Sequence, residues 1–369
     1  METVGGSGPA RHDYAASARA AETPGVAVVK IVDVAEAAQV SAATVSRALN
    51  HSSRVDPVLA ARVRATAERL GYRPNAVARN LRRQGTQVWA LIITDINNPF
   101  YTAVARGVED QASESGFSVL LCNTDEDQSK EDRYLEVAAQ ERVAGVILAP
   151  RASDSDVSGL LSSKIPLVAV DRQLDQPVDF VTAASFEGAV MATEHLLRQG
   201  WQRPACVTRP ADTATTEERR LGYEDVMRRH GLPATVRHVP FHTDSGLKVI
   251  DELFASGEAP DSLVTVDSML TLGVMTGLKR RRLKIGRDVG LIGFDDAVWA
   301  LAVEPPLSVI AQPAYEMGVA AAKLLVDRIR NGAHDEPQTL IMSTTMIVRG
   351  SSRRTRSRTT RGEPSALPR

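Results

Sequence analysis

The sequence predicts an α/β protein in two parts: an all-α helix-turn-helix headpiece, then a core of two doubly wound lobes. Three observations carry this. At 369 residues the chain exceeds the usual size of one domain. Its basic residues are concentrated near the start. The hydrophobic pattern changes near Gly85, from short helical stretches without strands to apolar, β-rich runs that alternate with amphipathic helices.

Composition narrows the classes. Hydrophobic residues at 43% and charged residues at 24% describe an ordinary globular protein, and a net charge of −1 argues against a wholly basic nucleic-acid coat. Distribution says more than the total. From Lys30 to Gln84 ten basic residues stand against four acidic ones, a net +6 suited to a phosphate backbone. A second basic run, Arg349 to Arg361, lies near the end. Cys122 and Cys206 are far apart, so there is no disulfide framework, no zinc spacing and no CxxC, which fits a reducing cytosol. Residues 1–29 lack the apolar stretch of a signal peptide, and no run approaches the ~18–20 apolar residues of a membrane span. A cytoplasmic protein with no membrane partner is expected. Residues 1–29 and 350–369, rich in small, polar or like-charged residues, read as disordered tails.

Three helices are expected within residues 31–70. Val32–Ala38 sets Val34, Ala35 and Ala38 on one face, and Gln39-Val40 turns the chain. Ser41 is a good N-cap for Ala42–Leu49, which turns Val45, Ala48 and Leu49 inward and Ala42, Ala43, Ser46 and Arg47 outward. The third helix has Asp56 as N-cap, Pro57 in the first position, Leu59, Val63, Ala67 and Leu70 inward, and Gly71 as its stop. Two short helices joined by a tight turn and braced by a third make a helix-turn-helix, whose second helix fits the DNA major groove.

Beyond Gly85 the expected strands are Val88–Thr94, Phe117–Cys122, Val146–Ala149, Leu167–Val170, Phe180–Thr182, Ala205–Thr208, Leu263–Val266 and Val289–Phe294. Helical stretches separate most of them: Tyr101–Ser115, Asp132–Arg142, Phe186–Arg198, Glu217–His230, Ser245–Ala255 and Met269–Leu278. Continuous apolar strands alternating with helices mean parallel sheets covered on both faces. So much of this pattern exceeds one core, hence two lobes with a cleft, and ligands in such folds bind beyond the carboxyl ends of the strands.

The runs "VDVAEAAQVSAATVSRALN" and "RVRATAERLGYRPNAVARNLR" resemble the headpiece and hinge of LacI/GalR bacterial regulators. The resemblance continues through "DINNPFY", "GVILAP", "VAVDR", "RRLGYEDVM", "GLIGFDD" and "PPLSVIAQP", spanning residues 30–349. It implies a helix-turn-helix at 30–74, a hinge helix and linker at 75–85, and a two-lobed, periplasmic-binding-protein-like core at 86–349. The implied function is a DNA-binding regulator, a repressor, working as a homodimer on nucleoid DNA and controlled by a sugar or sugar derivative. No cofactor is implied.

By this resemblance Ala42, Ala43 and Arg47 read bases, Arg47 being able to pair bidentately with guanine. Thr44, Ser46, Asn75, Ala78 and Leu81 complete the expected DNA-binding set, with Leu81 as a minor-groove wedge on a hinge helix too short to be stable alone. Gln39 stands where the family usually has Gly, so a left-handed turn without glycine is expected. Implied ligand residues are Phe100 and Tyr101 after the first strand, Asp171, Asp267 and Asp295 following later strands, and Arg219 opening a helix. An Asp or Arg after a strand is often only a helix cap or surface ion pair, so each has that ordinary role to set beside the ligand role. Asp267-Ser268 replaces a frequent Asn-Asp, and Ala184-Ser185 stands where Asp-Asn is common.

Other signals are weak. Ser245-Gly-Leu-Lys248 fits SxxK without SDN or KTG, and there is no HExxH, phosphate loop or GxSxG elbow. No catalytic or metal site is expected. A pure solute-binding protein would leave the helix-turn-helix unexplained. A sugar-modifying enzyme on the same lobes would need a nucleophile and base that are not evident.

Overall fold

The computed structural model describes residues 29–49, 55–72, 86–210, 213–240, 245–255, 259–332 and 336–354. Two compact units divide between Arg83 and Gln84. Together they have the α/β architecture that the sequence predicts.

The first unit contains helices α1 (Ile31–Ala37), α2 (Ala42–Leu49) and α3 (Pro57–Arg69). Gln39 takes a φ of 53° and lets Val40 N–H bond back to the Ala35 carbonyl at 2.9 Å, the left-handed turn expected without glycine. Ser41 Oγ accepts from Thr44 N at 3.2 Å to cap α2. Asp56 accepts from Val58 N and Leu59 N to cap α3, with Pro57 in its first turn. Gly71, at φ 70°, stops that helix. Val34, Ala35, Ala38, Val45, Ala48, Ala60, Val63 and Ala67 form the shared core. Two expectations need correcting, since Ser46 as well as Ala42 is half-buried. Ala42 is half-buried against this core rather than outward, because 42, 45 and 49 follow the i, i+3, i+7 spacing of one helical face.

The second unit holds two six-stranded sheets. The first lobe uses β1 (Val88–Ile93), α4 (Pro99–Glu114), β2 (Ser118–Asn123), α5 (Gln128–Gln140), β3 (Gly145–Leu148), α6 (Ser158–Ser162), β4 (Leu167–Val170) and β5 (Asp179–Ala183). The second uses α7 (Ser185–Arg198), β6 (Pro204–Thr208), α8 (Ala214–Arg229), β7 (Val236–His238), α9 (Ser245–Leu253), β8 (Ser262–Thr265), α10 (Ser268–Arg280), β9 (Gly290–Phe294) and β10 (Ser308–Ala311). The chain then returns to the first lobe as α11 (Ala314–Asn331) and β11 (Thr339–Met342), and ends in the second with β12 (Thr345–Ile347). Strand orders are β2-β1-β3-β4-β5-β11 and β7-β6-β8-β9-β10-β12, the same doubly wound order twice. Every pairing is parallel except β12 with β10. The chain therefore crosses between lobes three times, after β5, β10 and β11.

Sequence reasoning missed α6, β7, β10, α11, β11 and β12. The strands among them have three or four residues, and β7, β11 and β12 are exposed or half-buried sheet edges rather than buried apolar runs like the equally short β3 and β4. Strand β2 is an edge strand with Leu120 and Leu121 49% and 40% exposed, not one covered on both faces. Residues 350–354, expected to open the basic tail, are instead seated in the second lobe. Ser351 and Ser352 are buried there, Ser351 Oγ donates to the Leu291 carbonyl at 2.7 Å, and Trp201 Nε1 donates to the Ser352 carbonyl at 2.8 Å. No helix among the described residues is long and apolar enough to cross a membrane.

In the first lobe α4 and α11 approach through Gly107 and Gly318. A methyl on Gly318 would meet the Val104 carbonyl oxygen at 2.2 Å, and one on Gly107 the Tyr315 carbonyl oxygen at 2.1 Å. Both obstacles are backbone, so the helices must part. We expect Gly318→Ala to cost ~1–3 kcal/mol and to lower the melting temperature by ~2–4 °C per kcal/mol. Gly159→Ala, which meets nothing within 4 Å, serves as the control in thermal unfolding. Equal melting of Gly318→Ala and the parent would mean the helix pair is not close-packed there.

Candidate functional site

Two surfaces carry the expected residues. In the first unit α2 exposes Ala43 and Arg47, while Ala42, Thr44 and Ser46 are half-buried. Ser41 Oγ and Thr44 Oγ1 lie 2.9 Å apart at the start of the helix. The guanidinium of Arg47 thus stands on the outer face of the second helix of a helix-turn-helix. Asn75, Ala78 and Leu81 lie outside the described residues.

In the second unit a cavity of about 410 Å³ opens between the lobes, at the carboxyl ends of their strands. All six expected ligand residues line it: Phe100, Tyr101 and Asp171 from the first lobe, Arg219, Asp267 and Asp295 from the second. Asp171 follows β4 and Asp295 follows β9, equivalent strands in the repeated order. Both are left-handed, with φ of 68° and 72°, and each N–H bonds to the neighbouring strand, to Val181 O and Ile310 O, at 2.9 Å. Such a backbone in a residue other than glycine costs ~1–3 kcal/mol and persists only where the surroundings impose it. Here the bond to the neighbouring strand at the carboxyl end of the sheet imposes it, and both residues line the cavity.

The first-lobe wall is built around Tyr101, whose hydroxyl donates to Asp171 Oδ2 at 2.8 Å. Burial pushes the Tyr101 phenol well above its usual range, so it remains a donor. Phe100 meets Tyr101 edge-on, with ring centroids 5.1 Å apart. Buried Arg172 pairs with Glu126 through two bonds of 2.6 and 2.9 Å, and donates to the carbonyls of Pro150 and Arg151.

The second-lobe wall has two guanidiniums. Arg209 grips Asp267 at 2.6 and 3.1 Å and donates to the Pro240 carbonyl. Asp267 also accepts from Leu270 N at 2.6 Å, capping α10. It thus has the cap-and-pair role weighed for it above while still lining the cavity. Arg219 is held differently. Its donors reach Ser185 Oγ at 3.2 Å, the Val266 carbonyl at 2.5 Å and Gln312 Oε1 at 2.9 Å, and its cation lies 4.3 Å from the centre of the Phe294 ring. Gln312 in turn donates to Asp295 Oδ1 at 2.6 Å. Burial pushes the Asp295 carboxyl up to about 6, opposed by the Arg219 charge and the Gln312 bond. Across the cleft, Ser268 Oγ donates to Asn98 Oδ1 at 3.2 Å, a direct bond between the lobes.

Sequence reasoning missed Glu126, Arg172, Arg209 and Gln312. Arg172 was within reach, being the last letter of "VAVDR"; Gln312 follows β10, a strand that sequence reasoning missed. Among the described residues no group of His, Cys, Asp and Glu could hold a metal. The arrangement offers carboxylates that accept, guanidiniums and a phenol that donate, and Thr213, Thr215 and Thr216 beside them. That mixture suits a ligand whose groups both donate and accept, as hydroxyls do.

Comparison with known proteins adds a lineage. Residues 86–349 match the family profile described as periplasmic binding proteins and sugar binding domain of the LacI family. Residues 30–75 match that of bacterial regulatory proteins, lacI family. A ribose operon repressor from Halalkalibacterium halodurans is 35% identical over 299 residues, covering 81% of this chain and 90% of its own. A crystal structure of a LacI family transcriptional regulator from Enterococcus faecium with bound ribose is 26% identical, with a TM-score of 0.67, covering 73% of this chain and all of its own. The lac repressor dimer bound to operator, at 21% identity and a TM-score of 0.79 over 88% of this chain and 99% of its own, shares the fold.

The raised Asp295 carboxyl gives stability a pH dependence of definite sign. Its midpoint is about 6 in the folded protein against an ordinary 3.8, so the folded state binds the proton more tightly. Stability is highest below the lower value, falls as pH rises between the two, and stays reduced above the upper one. That displacement corresponds to roughly 3 kcal/mol. Asp295→Asn, neutral throughout, should therefore gain stability relative to the parent between pH 4 and pH 7.5. Melting temperatures of both proteins across that range check it; a constant difference would return the carboxyl to the ordinary range.

Proposed function

Because the chain belongs to the LacI family of bacterial regulatory proteins, we propose that it is a sequence-specific DNA-binding repressor whose operator affinity is set by a sugar bound between its lobes. The observation that carries this reading is that the six residues which the family resemblance implies as ligand contacts line one cavity, in a chain that also presents Arg47 on an exposed recognition helix. Residues 30–74 would serve as the DNA-binding headpiece, 75–85 as hinge and 86–349 as effector core. Ala43 and Arg47 are the best-exposed candidates for base contact, with Ala42, Thr44 and Ser46 beside them. Asn75, Ala78 and Leu81 are the candidate hinge contacts. The protein would act in the cytoplasm on nucleoid DNA, as a regulator and not an enzyme.

The relative named a ribose operon repressor and the family member with bound ribose make D-ribose the first effector to try. Its hydroxyls would bridge Asp171 and Asp295, with Arg219 donating and the Phe100 ring against the apolar face. A ligand held by both lobes favours one inter-lobe angle, and any difference in operator affinity between the two angles makes ligand and DNA reciprocally linked. A homodimer would let two headpieces bind two half-sites together. The exposed leucines 120 and 121 on edge strand β2 are a surface that a second copy would cover.

Operator release is the test. Arg47→Ala should lose ~1–3 kcal/mol of discrimination per half-site while keeping salt-sensitive binding to random DNA. Arg219→Ala should still bind operator, but need ten- to hundred-fold more sugar to respond, for a lost charged hydrogen bond of ~1.5–3 kcal/mol. Gel-shift titrations with a sugar series read both. Full operator preference in Arg47→Ala would remove its base-reading role, and a normal dose response in Arg219→Ala would move the ligand elsewhere.

A further inference from the structure

The geometry points to Gln312 as a positioning residue: its side-chain amide ties the ligand-facing pair Asp295 and Arg219 to the second crossing of the chain between the lobes. This rests on reading the cleft as the effector site. Gln312 lies between β10 of the second lobe and α11 of the first, on a connection that any change of inter-lobe angle must twist. Its Nε2 donates to Asp295 Oδ1 at 2.6 Å and its Oε1 accepts from Arg219 Nη2 at 2.9 Å. Chemistry dictates that orientation. A guanidinium has no acceptor, so only the amide oxygen can face Arg219, and the amide NH₂ is left for the carboxylate.

Arg219 also reaches the first crossing, donating to Oγ of Ser185, the residue that opens α7. One guanidinium therefore joins two of the three crossings, and one amide joins that guanidinium to the carboxylate. A ligand hydroxyl that engages Asp295 or Arg219 must share them with Gln312, so occupancy of the cleft bears directly on the conformation of the connection. The reverse holds by linkage. The charged groups facing Asp295 are Arg219 from α8, Asp267 at the head of α10 and Asp171 from the first lobe. Gln312 supplies its uncharged donor, which favours the ionised carboxylate against burial. A side chain that only filled space could be exchanged for one of similar length without effect on Asp295.

The test uses the full chain with D-ribose as probe. Protein carrying ¹³C at its aspartate carboxyls is titrated without sugar, and Asp295→Asn identifies the signal. In Gln312→Met the Asp295 midpoint should rise above the parent's, and half-release of operator should need about tenfold more D-ribose, with melting temperature close to the parent's. Gln312→Glu keeps an acceptor for Arg219 but sets a second carboxylate beside Asp295, so the midpoint should rise at least as far. An unchanged midpoint in both variants overturns the proposal. So does a collapsed melting temperature in Gln312→Met, which would assign the residue to packing. A parent that ignores D-ribose counts against that sugar as effector, while the sugar-free titration still decides the role of Gln312.

Discussion

The cleft depends on how one buried guanidinium, Arg219, is held. Among the described residues it makes no direct ion pair; its partners are a hydroxyl, a carbonyl, a side-chain amide and the face of Phe294. Burying a cation without a counter-ion is costly unless its donors are satisfied, and here they are met from α7, the end of β8 and the β10–α11 connection. The contrast with Arg172 and Arg209 is informative. Those two are each neutralised by a carboxylate, Glu126 or Asp267, and are already committed within their own lobes. Arg219 keeps a field directed at Asp295 and at whatever occupies the space between them.

The carboxylates show the complementary constraint. Asp171 and Asp295 occupy matching places in a strand order that occurs twice, and both adopt a left-handed backbone. Their strain and burial both work against stability, and both are retained at the point where the lobes face each other. Asp295, pushed up to about 6, is the more exposed to this conflict because it has burial without a full ion pair. The cavity is lined from both lobes, so its shape depends on the angle between them.

Local signals were legible in the sequence, and for local reasons. Ser41 and Asp56 cap their helices through bonds to residues two or three positions away, and Gln39 turns left-handed within a single residue. Strands such as β1 and β9 announce themselves by continuous apolar runs. Ala42 was misplaced because its half-burial comes from the face it shares with Val45 and Leu49, although the spacing was there to read. The short strands β10, β11 and β12 and the return of α11 to the first lobe were not legible, since nothing local in those residues says which sheet they will join.

By itself the sequence determined the alternation of strands and helices, the capped three-helix headpiece with its +6 segment, and the placing of polar side chains at strand ends, where a parallel sheet leaves them free to meet a ligand. Only the tertiary structure decided which of those side chains meet one another. Arg172 and Glu126 are 46 residues apart, Arg209 and Asp267 58, Arg219 and Gln312 93. The first two pairings are set within single lobes by the order of their strands and the third by the second crossing, and separations of that length leave no trace in residue spacing.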